Sequence, residues 1–135
     1  MGFCLFVASG LSFDVDRYLI GSPFKARTVF RKGEIPTEGN PGHLPRPDSG
    51  FVVLVSQGHG QGLTAQIEAA KQFPVKYGKE MGRLKLLGVD NMLFDFGVEL
   101  GGEIQHAEYL PPELLEVMVR FGMGLIFSTV QIPRG

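Results

Sequence analysis

Residues 3–8 read FCLFVA, an apolar run broken by no charged or polar side chain. A strand sends successive side chains to opposite faces, so Phe3, Leu5 and Val7 would lie on one face and Cys4, Phe6 and Ala8 on the other. A strand apolar on both faces belongs inside a sheet, and each face then needs cover. The rest of the chain is poorly equipped to supply it twice. One long helical pattern starts at Thr64 and keeps an apolar stripe through Ile67, Ala70, Tyr77, Met81 and Leu84 as far as Gly88. Only two short helical patterns accompany it. The stretch 33–50 is rich in Gly and Pro and offers only Ile35 and Leu44 as large apolar groups. Eleven Phe with no Trp add to the apolar surface to be covered. Self-association is the economical solution, and two-fold dimers are its commonest form; the expectation is a homodimer. The competing outcome is a three-layer monomer, with the last helix on the opposite side of the sheet from the longest one.

The remaining elements follow from periodicity and punctuation. Ser12 or Asp14 caps a short helix whose face is Val15, Tyr18 and Leu19, and Gly21-Ser22-Pro23 ends it. In FKARTVFRKGE, alternation sets Lys25, Arg27, Val29 and Arg31 on one side, a strand with a basic face near a sheet edge. SGFVVLVS is the cleanest strand. Pro74 lies inside the long helical pattern and removes the amide that would reach the Ala70 carbonyl, so a kink or two consecutive helices are expected. Gly78 and Gly82, one turn apart, suggest a close approach of helix to sheet. NMLFDFGVEL is a fourth strand, with Met92, Phe94, Phe96, Val98 and Leu100 on one face and Asp95 and Glu99 on the other. Pro112 opens a last helix with Leu114, Leu115, Met118 and Phe121 as its core side and Gly122 as its stop. GLIFSTVQI is the fifth strand. A flavodoxin-like parallel fold is disfavoured, because strand and helix fail to alternate over 25–56. The fold expected is α+β: a single domain over 1–135, a two-layer sandwich of a mixed, mostly antiparallel sheet of about five strands with helices on one face.

Composition narrows the function classes. A formal net charge of −1 gives no argument for nucleic acid or an anionic membrane. One cysteine, Cys4, cannot form an internal disulfide, which fits a reducing cytoplasm, and its apolar surroundings suit an inert thiol. The run 3–8 is shorter than the roughly 7–15 residues of a signal-peptide core and no Lys or Arg precedes it. The expectation is a soluble cytoplasmic protein without cofactor or metal.

Several motifs invite a sharper reading. In LVSQGHGQGLTAQ, a strand leads through Gly58, Gly60 and Gly62 into a helix, an arrangement that can present amides to an anion. Yet G-x-G-x-G matches neither the P-loop, whose last Gly precedes Lys and Ser or Thr, nor the dinucleotide loop G-x-G-x-x-G. A flexible connection with Thr64 capping the helix is the simpler reading. Asp14 and Asp16 resemble a metal-binding pair but equally suit a first helical turn. Glu103, His106 and Glu108 could ligate a metal, though they sit between Gly101-Gly102 and Pro111-Pro112, where a surface loop is the better reading. No Ser, Cys or His stands in a nucleophile motif.

Charge is segregated along the chain. No Lys or Arg occurs between Lys85 and Arg120, while Arg17, Lys25, Arg27, Arg31 and Lys32 meet only Asp14 and Asp16 in the first 33 residues. Either the basic and acidic strands neutralise one another across the sheet, the preferred reading, or a free acidic face steers a basic partner. A binding or interaction module is favoured over an enzyme, with Arg27, Arg31, His59, Asp95, Glu99 and His106 as candidates for contact with a protein partner or small ligand. The alternative is a small-molecule site or enzyme in which the 33–50 loop folds over the polar sheet face and Asp95, Glu99 or His106 acts as acid or base.

The order SGLSFDVDRYL, FRKGE, SGFVVLVS, LTAQIEAAKQF, then GLIFSTV after PPELLEVMVRFG resembles the bacterial family called domain of unknown function 4279, chiefly at Ser9-Gly10, Lys32-Gly33-Glu34 and Ser49-Gly50. That family often carries a Trp, absent here. The chain is also similar in style to orphan proteins of mobile gene cassettes. The resemblance implies a small bacterial accessory protein with an immunity or partner-binding role, and no catalytic residue.

Overall fold

The N-terminal apolar run becomes the middle strand of a five-stranded sheet. The computed structural model describes residues 2–35, 44–58, 62–100 and 107–131. Its strands are β1 (Gly2–Gly10), β2 (Thr28–Phe30), β3 (Ser49–Gly58), β4 (Asn91–Leu100) and β5 (Met123–Gln131), in the order β2-β3-β1-β4-β5. All neighbours pair antiparallel except β4 and β5, which are parallel. Parallel neighbours need a crossover, and α4 (Pro112–Arg120) provides it. The helix α2 (Thr64–Lys76) packs on β3 and β1 and also touches α4, so the last and longest helical segments share one side of the sheet. The expected two-layer α+β sandwich is what forms.

The two faces of β1 meet different fates. Cys4, Phe6 and Ala8 are fully buried under the helices, with Phe94, Phe96 and Met92 from β4 and Phe51 and Val53 from β3. Phe6 lies at the centre, its ring 5.0–6.3 Å from those of Phe24, Phe51, Phe73 and Phe94. Burial pushes the Cys4 thiol far up, which makes it inert. Phe3, Leu5 and Val7 stay half-buried on the open face. Part of their cover is self-made: the end of the Phe3 ring lies over Gly97, where an added Cβ would meet it at 1.8 Å, so only a glycine at 97 leaves room for the ring.

The helices follow their sequence signals, with corrections. Asp14 caps α1 (Val15–Leu19) by accepting from the Arg17 N–H. Thr64 is the first residue of α2 and not its cap, since Leu63 occupies the cap position without a side-chain bond. Pro74 is carried inside α2, and the break comes three residues later at Tyr77, before α3 (Gly78–Leu86). Pro74 leaves the Ala70 carbonyl without its helical donor, and the helix continues beyond it to Tyr77, whose N–H reaches the Phe73 carbonyl at 3.0 Å. Gly78 and Gly82 do not bring a helix onto the sheet. Open space surrounds Gly82, and Gly78 faces only the edge of the Phe121 ring. In α4, Leu114 and Met118 are buried but Leu115 is 43% exposed, outside the core expected for it. The basic strand expected over 25–31 shrinks to three residues. No helix among the described residues is long and apolar enough to cross a membrane.

Tyr18 ties α1 to α3. Its ring stacks on Phe51, its hydroxyl donates to Glu80 at 2.5 Å, and Arg83 lies both near Glu80 and over the ring. Burial, with Glu80 adding to it, pushes the phenol up to about 12. The unfolded chain ionises this group near about 10, so Tyr18 favours the fold below that pH and the contribution is lost as pH rises from 10 towards 12. In an alkaline absorbance titration, one of the three tyrosines is expected to ionise late, and Tyr18→Phe should remove that late step.

Candidate functional site

The candidates named from sequence do not converge. β2 and β4 stand at positions one and four of the sheet, with β3 and β1 between them. The expected cross-sheet neutralisation of basic by acidic strand therefore does not occur. Arg31 instead makes two 2.8 Å hydrogen bonds to Asp16 and an ion pair to Glu34, and the pairing holds the Asp16 carboxyl below its ordinary range. Asp16 thus serves α1 and Arg31, which is the structural reading of the Asp14/Asp16 pair. Asp95 lies on the open face opposite Leu5 and accepts from the Ser128 hydroxyl at 2.8 Å. Arg27 is exposed at the edge of β3, its backbone N–H bonded to the Val52 carbonyl. His59, Glu103 and His106, and the Glu99 side chain, lie outside the described residues, as does most of GHGQG. At the described end of that motif, Gly62 has φ +84° and the Glu108 carboxylate stands 3.2 Å from where its Cβ would be. A carboxylate at that distance repels a phosphate.

The 33–50 segment is described only at its ends. Gly33 N–H donates to the Arg46 carbonyl and Arg46 N–H to the Glu34 carbonyl, prolonging the β2–β3 hairpin. The Arg46 guanidinium rests 4.9 Å over the Phe30 ring. Residues 36–43, which would have to cover the polar sheet face in the small-molecule alternative, lie outside the described residues.

The surface with the clearest physical demand is the β5 edge. Sheet edges are templates for further pairing and are normally blunted by shortness, charge or proline. The β2 edge is blunted in two of these ways: it has three residues, flanked by Lys25, Arg27, Arg31 and Lys32. β5 has nine residues with no charge and no proline, and among the described residues it pairs only with β4. Leu125, Ile126 and Phe127, consecutive and therefore on both faces, are 42–46% exposed. Register with β4 sets Leu125 and Phe127 on the helix side, beside Phe94 and Phe96, and Ile126 on the open side beside Asp95.

α4 extends this edge. Leu114 and Met118 point to the core, while Glu113 and Val117 border a groove shared with α2. Leu115 and Val119, on the flank away from α2, are 43% and 80% exposed and line an almost wholly apolar groove of about 470 Å³, with Glu116 and Arg120 at its rim. The exposed apolar side chains of α4 and of the helix side of β5 thus form one border of the molecule. Sequence reasoning found β5 but not this border. The signal was present, since Leu125, Ile126 and Phe127 put large apolar side chains on both faces of a strand that lacks the neighbours that cover β1. No family model, curated protein or solved structure matches this chain.

Proposed function

We propose that the chain is a binding module that works as a two-fold homodimer, joined through the β5 edge and the outer flank of α4, and that it acts by surface recognition. The observation that carries this reading is the unguarded β5 edge beside a guarded β2 edge. Antiparallel pairing of two β5 strands about an axis at Ile126 gives one ten-stranded sheet with both helix layers on the same side. Leu125 of each copy then opposes Phe127 of the other, and Ile126 opposes its own counterpart. About this axis residues 123–129 of the two strands face one another, a strip roughly 23 Å long. A stable interface buries about 800 Å² on each partner, so the α4 flank is needed to complete it. The patch is also its own electrostatic complement, because Glu116 of one copy can face Arg120 of the other across the axis. The accessory, partner-binding role implied by the family resemblance is compatible with such a module.

The test is a cross-link at the axis. Directly opposed residues have Cα atoms about 4.5–5.5 Å apart, within the range a disulfide spans. Ile126→Cys is expected to give a covalent dimer under mild oxidation, and Thr28→Cys at the guarded edge to stay monomeric on denaturing gels. Cross-linking at Thr28 and not at Ile126 would overturn the assignment.

A further inference from the structure

Beyond self-association, the opposite side of the molecule holds a cleft that the dimer leaves open. β2 leaves β3 early: Arg27 N–H takes the Val52 carbonyl, and the chain before it turns away. In a strand, N–H and C=O of alternate residues point to the same edge, so those of Leu54 point to the side β2 has vacated. Among the described residues no backbone bond reaches Leu54 from residues 23–26. Just beyond it the β1–β3 register slips, Leu5 facing Leu54 and Cys4 facing Ser56, which leaves Val55 as the extra residue of a bulge. Bulges re-aim side chains and concentrate beside binding sites.

The space created here, about 430 Å³, lies between β3, α2 and the 23–25 segment. Its floor is aromatic. Phe24, Phe73 and Tyr77 pack mutually with centroids 4.9, 5.0 and 5.7 Å apart. Its polar groups are Lys25, Lys76 and Gln72, and no acidic residue lines it. Neither lysine has a carboxylate within ion-pair distance among the described residues, although the chain as a whole carries net charge −1. A second groove of about 460 Å³ shares Lys25 and Leu54 and adds Arg27. Three cations with no ion pair among the described residues therefore surround a bare strand edge above an aromatic floor, Lys76 lying 5.2 Å over the Tyr77 ring. Most polar and charged groups in such a cleft fix orientation while the apolar walls supply affinity.

We propose that this cleft binds a small organic anion: a carboxylate on a flat aromatic or branched apolar body. The body lies against Phe24, Phe73 and Tyr77. The carboxylate is held by Lys25 and Lys76 and accepts from the Leu54 N–H, with Arg27 raising the local positive potential. The proposal does not depend on the dimer, because the cleft is built from β3 and α2 at the far end of the sheet from β5.

The experiment is a titration of the ¹⁵N-labelled protein with phenylacetate, followed by amide shifts, with phenylacetamide as the neutral analogue. Phenylacetate is expected to saturate below about 10 mM, as a ligand of its size allows, with the largest shifts at Leu54, Val55 and residues 72–77. The amide is expected to bind about ten-fold or more weakly, and Lys25→Gln with Lys76→Gln to abolish that preference while leaving the spectrum otherwise folded. Equal binding of acid and amide, shifts centred on β5 or α4, or no saturation by about 10 mM would each overturn the proposal.

Discussion

Phe6→Ala is expected to cost about 3–5 kcal/mol, a large part of the roughly 5–15 kcal/mol that holds a domain together. The ring is fully buried and meets four other rings, drawn from the segment after α1 and from β3, α2 and β4. Those elements are each anchored to a sheet and cannot collapse together into the space vacated, so the cavity persists. The neighbouring substitution is the control. Leu5→Ala removes a side chain of the same strand from the open, half-buried face, and a loss near about 1 kcal/mol is expected there. Denaturant midpoints of the two variants at one protein concentration measure the difference. Equal losses would mean that both faces of β1 are packed alike, which a sheet with helices on one side does not allow.

Ile126→Lys is expected to raise the dimer dissociation constant at least about 100-fold while leaving the protomer's own stability within about 0.5 kcal/mol. The side chain is 46% exposed in the protomer, so a lysine there reaches water without strain. At the axis the same lysine would oppose its own counterpart, placing two like charges directly across a strand pair and desolvating both. Thr28→Lys, on the short edge already flanked by cations, should leave the association unchanged. Sedimentation of the three proteins over a concentration series separates these outcomes. An Ile126→Lys protein that associates as tightly as the parent chain would exclude the β5 edge from the interface.

What could be read from the residues, and what could not, divides along a physical line. The unbroken apolar run FCLFVA and the alternation in NMLFDFGVEL located two adjacent strands, because a period of two is a property of the backbone itself. Pro112 and Gly122 bounded α4 for the same local reason, the glycine lying at φ +66°. Failures arose where a partner distant in sequence decides. Lys25, Arg27, Val29 and Arg31 alternate as a strand would, yet only Thr28–Phe30 forms the strand, and Arg31 turns its side chain to Asp16, fifteen residues away. Asp95 meets Ser128 and not a basic strand, since strand order is a property of the whole sheet that no local pattern encodes. Leu115 has the spacing of a core residue but sits on the flank of α4 that β5 leaves uncovered. The cleft beside Leu54 depends on where β2 departs and on a bulge at Val55, neither of which has a sequence signature of its own.

If two copies join at the unguarded β5 edge, sedimentation equilibrium of the unmodified chain reads the mass of the pair. In the low-micromolar range the expected mass is twice 14.8 kDa, giving way to 14.8 kDa only on dilution. A constant 14.8 kDa up to about 100 μM, a concentration at which even weak specific interfaces associate, would contradict it.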